Sequence, residues 1–370
     1  MAKMLMKGNE AIAEAAVRAG CRYFFGYPIT PQNQIPEYMS KRMPQVGGTF
    51  LQAESEVSAI NMVYGAAGSG ARVMTSSSGP GISLKQEGIS YIVGAELPCV
   101  IVNIMRGGPG LGSIQPAQSD YYQATRGGGH GDYRIPVLAP SSVPEAVELT
   151  IKAFDIADEY RTPVIVLGDG MIGQMMEPVD LPDELTRQLP AKPWAAGGRG
   201  AKPDADGADE GRRAIINSLY IDPQVLENHN IKLQGKYSRI AAEQLLFGSE
   251  MVEDADIVIV AYGTVARIVR SAIRLARAEG IKAGMIRPIT LWPFPEAPIA
   301  DAAKTARVFL TVEMSAGQMV DDVRLALNGA RPSHFYGRTG GMVPAVRDVL
   351  DQIRRLAGAG QSPAIKEVLV

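Results

Sequence analysis

Cysteine is nearly absent from this chain. Only Cys21 and Cys99 occur. That excludes a disulfide framework and any self-contained iron–sulfur cluster, because such clusters are held by several thiolates. Histidine is also scarce. His130, His229 and His334 are the full set, and with no HExxH or CxxC spacing they exclude the common zinc sites. Neither sign of charge prevails: Lys+Arg total 37 and Asp+Glu 39, for a net charge of −2. A protein built mainly to hold nucleic acid is basic, so that class is set aside. No apolar run approaches the roughly 18 residues of a membrane span. Lys7, Gly8, Asn9 and Glu10 interrupt the first stretch before a signal-peptide core forms. A cytoplasmic location is expected.

Several nucleotide and nucleophile fingerprints are missing too. There is no GxxxxGK[ST] loop and no GxSxG elbow. Gly65, Gly68 and Gly70 run in the reverse order from GxGxxG and end a helix pattern, while Gly108, Gly110 and Gly112 have the spacing GxGxG. Both sets read as tight turns. Gly168-Asp169-Gly170 lacks the downstream Asn of a metal–diphosphate loop and reads as a turn.

What the chain does have is glycine and alternation. Glycine accounts for 40 of 370 residues, above the average share of about 7%. The apolar fraction of 46% and charged fraction of 21% are globular values. At about 150 residues per domain, two or three domains are expected. Asn9 to Gly20 reads as a helix capped by Asn9, closed by Gly20 and buried through Ile12, Ala15, Ala16 and Ala19. Strand patterns follow at 23–27, 50–52, 73–75, 99–105 and 162–167, with a helix from about 55 to 67. CVIVNIM (99–105) and TPVIVL (162–167) are apolar on both faces. Separated by helices, such strands indicate an α/β fold with a parallel sheet covered on both sides.

Residues 190–213 hold 14 Ala, Gly or Pro among 24, the composition of a mobile connector. A second α/β unit begins near residue 250, with strands at 255–261, 282–286 and 306–312 and helices at 264–279, 316–327 and 343–357. Arg267, Arg270, Arg274 and Arg277 lie mostly on one face of the 264–279 helix and read as a solvated surface. The expected division is 1–185, a connection over 186–248, and 249–370.

Ligands of an open parallel sheet gather at the carboxyl ends of its strands. Four segments with polar groups, glycine or both fall there: TyrProIleThrPro (27–31), GluSerGlu (54–56), SerSerSerGlyProGly (76–81) and ArgGlyGlyProGly (106–110). On position alone, Glu56 reads first as a first-turn carboxylate favouring a helix dipole, and Thr30 as a turn residue between prolines.

Taken jointly, GlyTyrProIleThrPro, GluSerGluValSerAlaIleAsn and ThrSerSerSerGlyProGlyIleSerLeu resemble the alpha subunit of the 2-oxoacid:ferredoxin oxidoreductases, which are thiamine-diphosphate enzymes. The likeness covers nearly the whole chain. It is nearest to the branched-chain (3-methyl-2-oxobutanoate) members, then to the 2-oxoglutarate members. It implies a pyrimidine-binding domain followed by a transketolase C-terminal-like domain. It implies that a partner beta subunit supplies the diphosphate-binding domain with its Mg2+. Iron–sulfur clusters are expected on other subunits, gamma and a ferredoxin-like delta, and no metal on this chain.

The implied reaction is oxidative decarboxylation of a 2-oxo acid to acyl-coenzyme A and carbon dioxide, with electrons passed to ferredoxin. The resemblance makes Glu56 the carboxyl group that exchanges a proton with the pyrimidine, with Glu54 the fallback two residues earlier. Thr30 would hydrogen-bond the substrate, and the Arg106 fork would meet its carboxylate. Pro28 and the serines Ser76, Ser77 and Ser78 would line the cofactor pocket, Ser77 and Ser78 foremost. His130 would approach the substrate or a partner. A second substrate carboxylate would call for a further cation, for which Arg126, Arg134 and His130 are candidates. The competing readings are a non-redox thiamine enzyme half, a scaffold subunit and a nicotinamide dehydrogenase.

Overall fold

The computed structural model describes residues 3–183, 189, 191–196, 214–358 and 368–369. The chain begins with β1 (Met4–Lys7), α1 (Gly8–Arg18), β2 (Tyr23–Gly26), α2 (Gln34–Gln45), β3 (Thr49–Gln52), α3 (Glu56–Gly68), β4 (Val73–Ser77) and α4 (Pro80–Gly94). It continues with β5 (Cys99–Met105), α5 (Tyr121–Thr125), β6 (Val137–Leu138), α6 (Val143–Tyr160), β7 (Pro163–Asp169), α7 (Gly170–Gln174) and β8 (Met176–Val179). Seven strands form the first sheet, in the order β12-β6-β7-β5-β4-β2-β3, where β12 is Thr290–Trp292 from much later in the chain. Every neighbouring pair is parallel except β12 with β6. CVIVNIM and PVIVLGD are buried at every position, as central strands covered on both faces must be. Helices α1, α2 and α6 pack together in one layer and α3 with α4 in another.

The second unit runs α8 (Pro223–Glu243), β9 (Phe247–Glu250), β10 (Ile257–Val260), α9 (Gly263–Ala278), β11 (Ala283–Pro288) and, after β12, α10 (Glu296–Ala302). It closes with β13 (Val308–Glu313), α11 (Met319–Leu327), β14 (Ser333–Gly337), α12 (Val346–Gly358) and β15 (Val368–Leu369). Its six strands are ordered β15-β14-β13-β10-β11-β9, with β9 the antiparallel edge. The expected α/β class therefore holds in both halves. The two halves are tied by Gln118, whose Nε2 donates to Tyr262 O at 3.0 Å and whose Oε1 accepts from Met314 N at 3.0 Å. No helix among the described residues is long and apolar enough to cross a membrane.

Four details differ from the sequence reading. Asn9 does not cap α1: Lys7 stands at the N-cap with no side-chain bond, and Asn9 is buried inside the helix. Its Nδ2 donates to Pro31 O and Gln34 Oε1, each at 2.8 Å, so the turn after β2 claims the amide. Asp169 ends β7 and caps α7 by accepting from Met171 N and Ile172 N, so 168–170 is a strand-to-helix junction rather than a free turn. The stretch taken as connection contains α8, a 21-residue helix that anchors Lys232 and Lys236 on Glu96. Most of the 190–213 connector lies outside the described residues, although Trp194 within it stacks under the Arg161 guanidinium. Finally, the arginines of α9 are not simply solvated. Arg267, Arg270 and Arg277 pair with Glu177, Glu250 and Asp254 from neighbouring segments.

Candidate functional site

Strand order locates a crevice in the first sheet. The connection leaving β2 goes to β3 on one side, and the connection leaving β4 goes to β5 on the other. Where adjacent strands send their connections in opposite directions, their carboxyl ends part and leave room for a ligand. Here those ends carry Tyr27–Pro31 and Ser77–Gly79. The neighbouring strand ends supply Glu56, just after β3, and Arg106, just after β5.

Glu56 is the first residue of α3 and is buried. Ser55 caps the helix by accepting from Ser58 N at 3.2 Å, which fixes the direction in which Glu56 leaves the strand end. Its carboxyl group and the Ser77 hydroxyl both lie against Gly81. A Cβ on Gly81 would lie 2.5 Å from Glu56 Oε1 and closer still to Ser77 Oγ. Only a residue without a side chain lets the three groups converge. Glu54 goes elsewhere: it is exposed and accepts from Ser58 Oγ at 2.8 Å.

Arg106 is also buried. Its Nη1 donates to Thr30 O and its Nη2 to Leu111 O, both at 2.9 Å. The guanidinium thereby ties the TyrProIleThrPro turn to the loop following β5. Its Nε is buried without a partner and faces Gly79, whose Cβ would lie 3.3 Å away. Gly79 holds φ at +46°, in the left-handed region that favours glycine. Thr30 is half-buried and Pro28 exposed on the same turn.

The three serines have different fates. Ser76 Oγ is spent on Gln32 Oε1 at 2.5 Å, and Gln32 Nε2 in turn donates to Tyr27 O at 3.2 Å. Ser77 and Ser78 are fully buried with hydroxyls that find no partner among the described residues. The remaining candidates lie away from this cluster. His130 is exposed, with its ring edge-on to Tyr91 at 5.8 Å near the far end of α4. Arg126 pairs with Asp322 at 2.7 Å, and Arg134 donates to Thr125 O at 3.0 Å.

Sequence reasoning missed two parts of the cluster. Lys85, on α4, is completely buried and donates to Thr75 Oγ1 at 3.1 Å. Burial pushes its ammonium down to about 8, against the opposing charge of Glu56. A signal existed: Gly81, Lys85 and Gly88 fall on one helical face, and a lysine on a buried face needs a reason. The second part is Asp120, which accepts from Asn103 Nδ2 at 3.0 Å. Burial raises its carboxyl above the usual range, opposed by that hydrogen bond and by Arg106.

The unpartnered atoms test whether an aminopyrimidine suits the crevice. Buried hydroxyls without partners are costly and uncommon. Ser77, Ser78 and the Glu56 carboxyl offer both donors and an acceptor to a flat ring bearing nitrogen and an amino group. The buried, unpartnered Arg106 Nε suits an anion. The residues present fit that half of thiamine diphosphate together with a small carboxylate.

Comparison with known proteins agrees. Residues 14–240 match a family model described as pyruvate flavodoxin/ferredoxin oxidoreductase, thiamine diphosphate-binding. Residues 255–349 match pyruvate:ferredoxin oxidoreductase core domain II. The chain is 51% identical over 358 residues to ketoisovalerate oxidoreductase subunit VorB of Methanothermobacter thermautotrophicus, covering 97% of this chain and 99% of that one. It is 38% identical to the 2-oxoglutarate synthase subunit KorA of the same organism, covering 95% and 98%. A solved 2-oxoglutarate:ferredoxin oxidoreductase from Magnetococcus marinus, with 2-oxoglutarate, coenzyme A and succinyl-CoA bound, superposes with a TM-score of 0.84. That chain is 27% identical, and the match covers 95% of this chain and 65% of that one.

Proposed function

Since the chain belongs to the 2-oxoacid:ferredoxin oxidoreductase family, we propose that it is the alpha subunit holding the pyrimidine half of thiamine diphosphate in an enzyme that oxidatively decarboxylates a branched-chain 2-oxo acid. The observation that carries this reading is that Glu56 Oε1 and the unpartnered Ser77 hydroxyl both lie against Gly81, at the point where the sheet connections part.

When bound, thiamine diphosphate supplies the carbon nucleophile and the sink for the electron pair left by carbon dioxide. This chain's residues prepare and orient. The buried Glu56 carboxyl group would hold the pyrimidine ring nitrogen and exchange a proton with it. The unpartnered hydroxyls of Ser77 and Ser78 would hydrogen-bond the ring. Arg106 is held rigid by Thr30 O and Leu111 O, and keeps Nε for the substrate carboxylate. Thr30 lies on the same turn and offers its hydroxyl to the 2-oxo group.

Two observations favour a branched aliphatic substrate over 2-oxoglutarate. The identity to the ketoisovalerate subunit exceeds that to the 2-oxoglutarate subunit. Of the three cations considered for a second substrate carboxylate, Arg126 is engaged by Asp322 and Arg134 by Thr125 O, while His130 stands exposed against Tyr91. A beta subunit supplies the diphosphate site with its Mg2+. Gamma and delta subunits with iron–sulfur clusters carry electrons to ferredoxin, and coenzyme A takes the acyl group. Co-expression with those partners and steady-state assay against a panel of 2-oxo acids tests the reading. The expected result is turnover dependent on thiamine diphosphate, with the highest kcat/KM for 3-methyl-2-oxobutanoate. Preference for 2-oxoglutarate, or turnover indifferent to the cofactor, would refute it.

A further inference from the structure

The loop that carries Arg106 is folded on itself. Gly107 N donates to Gln115 O at 2.9 Å, and Ser113 N donates to Gly107 O at 2.7 Å. Arg106 pairs with Pro116 as an isolated antiparallel bridge, and its Nη2 donates to Leu111 O. The guanidinium and residues 107–116 are therefore bonded into one piece. Leu111 and Ile114 face solvent. On the protein side the piece is seated on the second unit. Gly340 and Gly341, in the turn between β14 and α12, press on it. A Cβ on Gly107 would lie 3.1 Å from the Gly340 carbonyl carbon, and a Cβ on Gly341 would lie 2.4 Å from Gln115 Cβ. Beyond Gln115 the chain is locked to the same unit at Gln118. Its N donates to Met314 O at 2.8 Å, and its side chain bridges Tyr262 O and Met314 N.

The glycine turn is itself fixed. Arg338 N, just before it, donates to Glu313 O at 3.2 Å, and Met342 N closes the turn on Thr339 O at 3.1 Å. Gly340 and Gly341 hold φ at +65° and +98°, in the region that favours glycine. The two glycines answer different needs. A Cβ on Gly340 would meet nothing within 4 Å, so only its backbone conformation asks for glycine. At Gly341 the space is also taken, by Gln115. Apolar carbons pack at about 3.5 Å or more, so a side chain at 341 pushes the loop away by about 1 Å. The Arg106 guanidinium is bonded to that loop through Leu111 O and moves with it. Resting on the reading of Arg106 as the group that meets the substrate carboxylate, we infer that the Gly340–Gly341 turn is a positioning element for Arg106, so that a backbone turn of the second unit sets the affinity for the 2-oxo acid.

The measurement is steady-state kinetics of the assembled complex, with thermal melts of the same preparations. Gly341→Ala raises KM for the 2-oxo acid by about tenfold and keeps kcat within about threefold of wild type, because a binding group has moved and the reacting groups have not. Gly340→Ala carries left-handed strain without the contact, so it lowers the melting temperature by a few degrees and leaves KM unchanged. Adding Gln115→Gly to Gly341→Ala removes the clashing carbon. Gln115 Cα, 3.5 Å from the new Cβ, is then in ordinary contact, and KM returns to within about threefold of wild type. If Gly341→Ala does not assemble, Gly107→Ala serves: it crowds the same contact from the loop side, without a left-handed φ, and raises KM in the same direction. The inference is overturned, with the reading of Arg106 intact, where Arg106→Lys raises KM but Gly341→Ala and Gly107→Ala do not. It is equally overturned where Gly340→Ala raises KM as much as Gly341→Ala, or where the double variant shows no recovery. An unchanged KM in Arg106→Lys overturns the reading of Arg106 and this inference with it.

Discussion

Gly81→Ala puts the site geometry to a severe test, because general helix energetics and local geometry predict opposite outcomes. Gly81 is the second residue of α4, after Pro80. In an ordinary helix interior the change stabilises by about 0.5–1 kcal/mol. Here the new Cβ lies 2.5 Å from Glu56 Oε1. An ordinary contact between such atoms is about 3.3–3.6 Å, so the carboxyl group must retreat by about 1 Å. A displacement of that size at a reacting group costs about 10²-fold in rate, or about 2.7 kcal/mol. The melting temperature should shift by only a few degrees, because the helix gain offsets part of the local clash. The assay is kcat/KM of the assembled complex beside thermal melts of the same preparations. A variant within threefold of wild type would show that Glu56 does not act where this geometry puts it.

Other glycines and charges give further tests. Gly88→Ala, on the same face of α4 but facing Ile60 at 2.5 Å, overpacks the α3–α4 contact and should cost about 1–3 kcal/mol of stability with kcat unchanged. Gly65→Ala meets nothing within 4 Å and should stabilise by up to about 1 kcal/mol; thermal melts check both. Arg106→Lys cannot hold Thr30 O and Leu111 O and still face the substrate, so KM for the 2-oxo acid should rise about 10–100-fold with thiamine diphosphate affinity retained. Burial pushes the Glu96 carboxyl up, but Lys232 and Lys236 of α8 outweigh it and bring the group down from 4.5 to about 2. A depressed folded value means that this anchoring is present above pH 4.5 and is lost as the pH falls toward 2. Amide exchange in α8 should accelerate over that window, and Glu96→Gln should abolish the step; a flat profile would contradict it.

The central architecture was legible because it rests on local patterns. CVIVNIM and TPVIVL are apolar on both faces, and only a doubly covered strand accounts for that. The polar segments after the strands announced a ligand crevice for the same reason. What escaped depended on tertiary partners. Asn9 has the chemistry of a cap, yet Pro31 O outcompetes the cap position. The α9 arginines look solvated until β9 and its neighbours deliver Glu250 and Asp254. Helix α8 has a weakly marked apolar face, with Leu233, Tyr237 and Ile240 its buried contacts, and it follows a glycine-rich stretch that masked it. Strand β12 crosses from the second half to pair with β6, a long-range choice that no window of sequence encodes. Lys85 was readable in principle, but its hydrogen-bond partner Thr75 stands on β4 rather than on its own helix.

The most direct measurement of the whole account is turnover by the complex carrying Glu56→Gln, with Glu54→Gln as its neighbour control. Gln keeps the shape of Glu56 and cannot exchange the proton, so the account predicts a loss of about 10²–10⁴-fold in kcat. Glu54→Gln, at an exposed position that accepts from Ser58 Oγ, should stay near wild type. Near-wild-type turnover by Glu56→Gln would contradict the account.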